Sequence, residues 1–327
     1  MSAALPAGWP AVRLALLPFA ALLAIGAGWG LTTPLIKLAV GAGHGPFGIM
    51  LWQFAVGTPV LALLMLALRR GRGPLLPLGP RELQLYLAVG ALGMAVPHFF
   101  SYTALGHLPA GVVSIIVSMV PLFALTLALA LRVERFRPLR ALGLGLGATA
   151  VVLLIAPEAS LPEGAAVLFV PVAMLTPLCY ALEGLYVAGR ASRAAGPLQT
   201  LLGGQVVALA LVAPAAWWTG QIVSPLDGLG VAEWAILATA VLSPMAYAGY
   251  VALLRATGAV FAAQVAYVVT GSGLVWAILL LGERYSGWVW AALALLFAGL
   301  FLVQPRPSLP AVVAPAAEGA TRPERDA

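Results

Sequence analysis

Residues 109–136 read PAGVVSIIVSMVPLFALTLALALRVERF, and no ionisable side chain occurs before Arg132. A helix of about 20 apolar residues crosses the hydrocarbon layer of a bilayer, which is about 30 Å thick. Charged residues then follow together at Arg132, Glu134 and Arg135, as expected where a helix leaves the lipid. This stretch therefore predicts a transmembrane helix.

The composition of the chain extends this prediction to nearly its whole length. Of 327 residues, 62% are hydrophobic and 9% are charged, and the mean hydropathy is +1.02. A soluble domain carries about 25% charged residues, because its surface faces water. This composition excludes a soluble enzyme, a disordered protein and a disulfide scaffold, and the single cysteine, Cys179, has no intrachain partner. The sequence predicts an all-α integral membrane protein.

Ten apolar runs of membrane-spanning length follow one another, separated by glycine, proline and charged residues. They cover residues 14–36, 46–68, 83–105, 109–131, 138–156, 164–189, 197–219, 231–254, 258–281 and 286–304. The first run is longer than the apolar region of a signal peptide, so we expect it to be retained. The tail at 305–327 has no hydrophobic periodicity, and we expect it to be disordered.

The basic residues collect on one side of the membrane when the amino terminus is placed in the cytoplasm. The cytoplasmic segments then hold Arg13, Arg69, Arg70, Arg72, Arg81, Arg132, Arg135, Arg137, Arg140, Arg190, Arg193, Arg255, Arg306, Arg322 and Arg325. Only Lys37 and Arg284 remain of the 17 lysines and arginines. Because cytoplasmic loops are enriched in basic residues, this partition predicts ten helices in the cell (inner) membrane, with both termini cytoplasmic. It also accounts for the net charge of +6 without a nucleic-acid partner.

The chain contains an internal repeat. Residues 109–156 align without a gap on 258–305, which places Glu134 on Glu283, and Pro46 and Pro197 each open a second helix. Each half contains five helices, an odd number, so the two halves must cross the membrane in opposite orientations. Inverted repeats of this kind enclose the substrate site of many transporters. We therefore predict two inverted five-helix repeats, at 14–156 and 164–304.

Several motifs resemble the EamA-type members of the drug/metabolite transporter superfamily. These motifs are the Trp29-Gly30 pair with Lys37 after it, the stretch from Ala104-Leu105 through Pro121-Leu122 to Glu134, and the matching Glu283. The resemblance covers residues 14–304 and implies a ten-helix exporter of amino acids or related metabolites. The aromatic residues of the candidate cavity most resemble the aromatic amino acid exporter branch. The second half departs from the pattern, because Tyr180-Ala181 stands where a Trp-Gly pair is expected.

Three ionisable residues lie within predicted helices, where a charge needs a partner or water. Lys37 is predicted either to bind a substrate carboxylate or to reach the outer interface. His98 lies four residues before Tyr102 on one helix face, and both are predicted to line a polar cavity; the alternative is a hydrogen-bonded packing histidine. Glu183 is predicted to act as a cytoplasmic gate, to couple transport to protons, or to pair with Arg190 or another arginine on the inner side.

Uncharged polar and aromatic residues complete the predicted substrate site. Aromatic rings beside amide and hydroxyl groups suit an amphipathic solute such as an amino acid. Beside Lys37, His98 and Tyr102, the candidate substrate-binding residues are Trp29, Ser114, Ser118, Tyr180, Tyr250, Gln264 and Tyr267. A wider set of polar and aromatic residues includes Gln53, Gln205 and Tyr247.

Small residues four apart predict close packing of the fifth and tenth helices. Gly143 and Gly147 have this spacing in the fifth helix, and Ala294 and Ala298 have it in the tenth. Such pairs let two helix backbones approach each other in a membrane. We expect these positions to be scaffold.

The predicted function is facilitative export of amino acids or related metabolites, by alternating access around a cavity between the repeats. One alternative is an exporter of a different metabolite or drug, coupled to protons through Glu183 and His98. An intramembrane enzyme is disfavoured, because Gly271-Ser272-Gly273 lacks the spacing of a hydrolase nucleophile elbow and the His-Glu-x-x-His motif is absent. We expect no cofactor and no metal. The expected partners are a small-molecule substrate and the lipid bilayer, with the chain a monomer or a weak homo-oligomer.

Overall fold

The computed structural model describes residues 9–68, 73–155, 167–190, 195–223 and 228–303. These residues form helices and their connections, and no strand occurs among them. Nine of the described helices are long and apolar enough to cross a membrane: Leu16–Gly41 (α1), Pro46–Leu68 (α2), Pro80–Leu105 (α3), Ala110–Ala130 (α4), Pro138–Ile155 (α5), Phe169–Arg190 (α6), Pro197–Trp218 (α7), Val231–Thr257 (α8) and Val260–Leu281 (α9). A further apolar helix, Gly287–Val303 (α10), has 17 residues.

The helices coincide with the predicted apolar runs, one helix to each run. The helix α10 extends about 25 Å at 1.5 Å per residue, which is slightly less than the hydrocarbon thickness. The structure thus identifies nine candidate crossings in its described part, and the tenth stays a prediction. The predicted tail at 305–327 lies outside the described residues.

Proline interrupts three of the helices. Leu31 breaks α1 into Trp9–Gly30 and Thr32–Gly41, and Pro34 follows; Ser118 and Met119 break α4 just before Pro121. In α3 a π-helical turn covers Ala91–Ala95, just before Pro97. Each proline lacks the N–H that the carbonyl four residues earlier would accept, so the helix must kink or rewind there. A fourth break, in α9, separates Ala259–Ala262 from Val265–Leu281 without a proline.

The helix contacts of one half recur in the other with the partners exchanged. The helix α1 packs along α9 and α8, while its counterpart α6 packs along α4 and α3. Likewise α2 contacts α8, and α7 contacts α3. The helix α5 packs against its own counterpart, α10. The bundle is therefore built from two halves that interlock through equivalent faces.

Glycines bring α5 and α10 into close contact. A Cβ atom added to Gly143 would lie 2.7 Å from the carbonyl oxygen of Gly299, and one added to Gly299 would lie 2.7 Å from the carbonyl oxygen of Gly143. Gly147 packs against the side chain of Leu122. The predicted packing role of Gly143 and Gly147 is confirmed. The prediction for Ala294 and Ala298 is wrong: both are exposed, because they lie on a different face of α10 from Gly299.

The first half of α1 packs equally closely on α9. A Cβ atom on Gly26 would lie 2.5 Å from the Val268 side chain, and one on Gly30 would overlap the hydroxyl of Ser272. The Trp276 indole donates a hydrogen bond to the carbonyl oxygen of Ala27 at 3.0 Å. The Ser272 hydroxyl donates to the Gly26 carbonyl oxygen at 3.2 Å, so Gly271-Ser272-Gly273 belongs to a helix contact.

Candidate substrate site

Lys37 binds the carboxyl-terminal end of α3. Its Nζ donates hydrogen bonds to the carbonyl oxygens of Leu105, at 2.5 Å, and Leu108, at 3.0 Å. The last carbonyls of a helix have no intrahelical partners and carry partial negative charge, so an ammonium stabilises them. These bonds place the Lys37 ammonium beside the end of α3, and its location at the outer interface stays a prediction. Its binding of a substrate carboxylate stays a prediction.

Glu283 caps the amino terminus of α4 from the loop between α9 and α10. Its Oε1 accepts a hydrogen bond from the Ala110 N–H at 2.7 Å, and its Oε2 accepts one from the Gly111 N–H at 3.3 Å. The Tyr285 hydroxyl donates to Glu283 and accepts from the Gly111 N–H at 3.0 Å. A carboxylate is favoured there because the first N–H groups of a helix lack partners and carry partial positive charge.

The cap also fixes the neighbouring side chains. A Cβ atom on Gly111 would overlap the Tyr285 hydroxyl, so this contact requires glycine. Burial, followed by the hydrogen bond to the Glu283 carboxylate, raises the pKa of Tyr285 above its usual value. Glu283 is also an electrostatic neighbour of Lys37. We call this region, where α3 ends and α4 begins, the Glu283 end of the bundle.

Glu134, the repeat counterpart of Glu283, makes no such cap. It pairs with Arg140 at 3.0 Å and its side chain is 44% exposed. The aligned partners of Ala110 and Gly111 are Ala259 and Val260, and in the described part of the chain neither gives an N–H to Glu134. We call this region, where α4 ends and α9 begins, the Glu134 end.

The two ends differ in burial as well. At the Glu283 end, residues 108–116 are all buried, and the rings of His107 and Phe169 stack at 3.6 Å. At the Glu134 end, residues 131–139 are all exposed, as are Gly258 and Val260. Residues 108–116 align on 257–265, where Gly258 and Val260 are exposed and Ala262 and Val265 are buried, so the start of α4 is more fully buried than the aligned start of α9.

Three aromatic residues from α1 and α8 lie together near the middle of the bundle. The ring centroid of Trp29 lies 6.4 Å from those of Tyr247 and Tyr250, and the two tyrosine rings are 6.4 Å apart. All three side chains are partly buried. The predicted residues Trp29 and Tyr250 thus meet, and Tyr247, which the sequence placed only in the wider set, completes the cluster.

Glu183 lies against the π-helical turn of α3. A Cβ atom on Gly93 would lie 3.1 Å from Glu183 Cγ and 3.5 Å from its Oε1. Tyr180 and Tyr247 are electrostatic neighbours of Glu183, and Tyr180 is also a neighbour of Tyr102. Short π-helical turns occur often at functional sites. We call the region between α1, α3, α6 and α8 that contains Glu183, Tyr180, Tyr247, Tyr250 and Trp29 the aromatic cleft.

The predicted pairing of Glu183 with Arg190 is wrong. The Arg190 guanidinium lies 4.2 Å from the centre of the Tyr186 ring, one helical turn away, where a cation–π contact holds it. Glu183 takes part in neither of the ion pairs found among the described residues. It also accepts no hydrogen bond from any of them.

His98 and Tyr102 are adjacent, but both are held by protein groups. His98 Nδ1 donates to the Met94 carbonyl oxygen at 2.6 Å, and its ring lies 5.3 Å from that of Tyr102. The Tyr102 hydroxyl donates to Gln53 Oε1, and both side chains are 5% exposed. The hydrogen bond of His98 agrees with the packing alternative. The use of either residue by a substrate stays a prediction.

The remaining candidates make contacts with other groups of the bundle. Ser114 donates to the Ala110 carbonyl oxygen in its own helix at 3.0 Å and packs on Gly273; Ser118 donates to the Ile115 carbonyl oxygen at 2.7 Å. Serine hydroxyls in lipid commonly bond their own helix in this way. Gln264 bonds the Val260 carbonyl oxygen, and the Tyr267 ring packs on Phe297 of α10.

Two contributors to the site were not predicted. Gly93 packs against the Glu183 side chain. Thr176 links α6 to α3 by donating a hydrogen bond to the Pro97 carbonyl oxygen at 3.1 Å. Both lie near Pro97, which has no N–H for the Gly93 carbonyl. In the sequence, Pro97 next to the intramembrane His98 was the feature that could have indicated an irregular section of α3. No group of three or more His, Cys, Asp or Glu side chains that could hold a metal occurs among the described residues.

Comparison with known proteins gives the family. The profile of the EamA-like transporter family matches the chain twice, at residues 17–156 and 167–304. A solved structure described only as "Crystal structure of protein" is similar in fold, with a TM-score of 0.55 and 21% identity over 87% of this chain and 97% of that one. No curated protein sequence matches significantly. The two matches confirm the resemblance to the drug/metabolite transporter superfamily and leave the aromatic amino acid branch a prediction. This multi-pass membrane protein is a member of the EamA-like transporter family, whose members carry small molecules across membranes.

Proposed function

We propose that the protein exports amino acids, aromatic or otherwise amphipathic, across the cell (inner) membrane by alternating access. In this proposal ten helices form two inverted repeats, and both termini are cytoplasmic. The partition of the arginines supports the orientation. The exchanged helix contacts of the two halves support the inverted arrangement.

The main support for alternating access is that Glu283 and Glu134 make different contacts. The two residues align in the repeat, yet Glu283 caps α4 and Glu134 is exposed beside Arg140. If the halves exchange conformations, Glu134 would cap the amino terminus of α9 while Glu283 releases α4. The fold then has two equivalent states, one closed at each end.

The contacts of Glu283 and Glu134 support our inference that the described conformation is closed by Glu283 outside and opens to the cytoplasm. The proposed topology places the Glu283 end outside, and this is the packed end. The exposed Glu134 end faces the cytoplasm, where an exporter collects its substrate. The aromatic cleft then lies near the midplane, as expected for a site between inverted repeats.

The aromatic cleft supports an amphipathic substrate. Trp29, Tyr247 and Tyr250 offer ring faces and edges for stacking together with hydroxyl groups for directional hydrogen bonds. Such pockets bind small molecules mainly by apolar contact, and a few polar groups set the orientation. An amino acid with a large side chain has both kinds of surface.

Transport is tested with purified protein in liposomes. We expect saturable uptake of a subset of labelled amino acids from a panel of phenylalanine, tryptophan, leucine, serine and lysine, with no dependence on a pH gradient. Uptake equal to that of protein-free liposomes for every member would refute the amino-acid substrate.

Proton coupling is the second candidate, because Glu183 has no cationic partner among the described residues. Faster uptake when a proton gradient is imposed, abolished in Glu183→Gln, would favour it over facilitative transport.

A further inference from the structure

We propose that Glu183 binds a positively charged amine of the transported molecule within the aromatic cleft. This inference rests on the transport function proposed above and names the chemical class of the substrate. The substrate would be a primary amine with an aromatic or apolar body. An organic acid without an amine would be excluded.

The first observation is the position of the carboxylate. Glu183 lies on α6 and packs on Gly93, where the absent side chain leaves room for it. Pro97 removes the α-helical hydrogen bond of the Gly93 carbonyl, and the Val96 N–H bonds the Ala91 carbonyl instead. The carboxylate therefore faces a rewound section of α3 near the middle of the bundle.

The second observation is that no described lysine or arginine forms an ion pair with this carboxylate. In the described part of the chain, Lys37 bonds the end of α3 and Arg190 lies over Tyr186. An ionised carboxylate inside a membrane is costly without an opposite charge. A substrate ammonium would supply that charge on binding.

The third observation is that Glu183 interacts electrostatically with two tyrosines, one of which belongs to the cluster with Trp29 and Tyr250. Tyr180 and Tyr247 are its electrostatic neighbours, and Tyr247 brings Trp29 and Tyr250 within 6.4 Å of its own ring. Ring faces attract ammonium groups, most strongly those of tryptophan and tyrosine. The same rings would pack on the apolar body of the substrate. Carboxylate and rings together describe a site for an arylalkylamine or an aromatic amino acid.

The test is equilibrium binding of two probes that differ in one group, phenethylamine and 3-phenylpropionate. It uses purified full-length protein and does not depend on transport. We expect saturable binding of phenethylamine, at least tenfold weaker in Glu183→Gln and retained within about threefold in Glu183→Asp, which keeps the charge. We expect 3-phenylpropionate to bind at least tenfold more weakly than phenethylamine to the wild-type protein.

Equal phenethylamine binding by the wild type and Glu183→Gln would overturn the proposal. So would equal binding of the two probes, or no binding of phenethylamine, by the wild type; neither result requires a variant that folds. The transport function fails separately. Phenethylamine binding without flux of any amino acid would refute amino-acid transport and leave the amine site standing. Flux of an amino acid that is unchanged in Glu183→Gln, without phenethylamine binding, would refute the amine site and leave transport standing.

Discussion

Replacing Glu283 by alanine should open the Glu283 end of the bundle. The substitution removes three charge-assisted hydrogen bonds, two from the backbone N–H groups of Ala110 at 2.7 Å and Gly111 at 3.3 Å and one from the Tyr285 hydroxyl. A hydrogen bond to a charged group contributes about 1.5–3 kcal/mol, and loss of a helix cap costs about 0.5–2 kcal/mol. When the Glu283 end opens, water replaces part of the lost hydrogen bonding. We therefore take about 2 kcal/mol as the change in the free-energy difference between the two conformations. That is a change of about 30-fold in the ratio of the two conformations.

The assay is the reaction of a single cysteine with a membrane-impermeant maleimide added to intact cells. Cys179 is replaced by serine, and Val113, which is fully buried in α4 at the Glu283 end, is replaced by cysteine of similar volume. We expect Glu283→Ala to label about 30-fold faster than the parent. A cysteine at exposed Thr219, at the same end, should label at one rate in both backgrounds.

Glu134→Ala is the matched control for this prediction. It removes the aligned glutamate, which in this conformation makes only an exposed pair with Arg140. Exposed pairs contribute about 0–1 kcal/mol. The variant should therefore not accelerate labelling at Val113. Equal labelling rates of the parent and Glu283→Ala, or equal acceleration by both glutamate variants, would refute the claim that Glu283 holds its end of the bundle closed.

Three further predictions concern other contacts. Gly111→Val should accelerate Val113→Cys labelling as Glu283→Ala does, since its side chain would displace the Tyr285 hydroxyl; unchanged labelling would contradict the cap geometry. Gly143→Ala should lower the thermal midpoint in detergent by separating α5 from α10 at a cost of about 1–3 kcal/mol, whereas Gly145→Ala, which has open space around it, should not; equal midpoints would count against this contact. Trp29→Ala should raise the KM for an aromatic amino acid about three- to tenfold through the loss of ring contacts worth about 0.5–1.5 kcal/mol, while Trp217→Ala, 74% exposed, should leave KM unchanged; an effect of both or of neither would remove Trp29 from the site.

The helices were predictable because lipid imposes one rule on every residue of a crossing. A run of about 20 apolar residues has no stable form in a bilayer except a helix, so the runs in the sequence became helices in the structure. The repeat of Glu134 and Glu283 was visible for a similar reason, since charges mark the places where helices leave the membrane. Three of the helix breaks lie beside prolines, whereas Pro59, Pro177 and Pro244 lie inside uninterrupted helices, so proline alone does not predict a break or the π-helical turn of α3.

The partners of the polar side chains were less predictable. Lys37 was expected at an interface or a substrate, and Glu183 beside Arg190, because spacing along one helix was all that the sequence supplied. Lys37 bonds carbonyl groups at the end of α3, 68 and 71 residues away, which spacing along α1 does not indicate, and Arg190 lies over Tyr186. Contacts between helices depend on how the helices rotate and cross, which composition does not fix.

The central claim is that the two ends of the bundle open in turn, and distances between spin labels at each end test it directly. One pair of labels would occupy exposed Gly106 and Val231 at the Glu283 end, and the other would occupy exposed Val133 and Ala256 at the Glu134 end. The account predicts two distance populations for each pair in reconstituted protein. A transported amino acid, or Glu283→Ala, should lengthen the first distance and shorten the second. Distances that stay fixed at both ends, or lengthen together, would contradict alternating access.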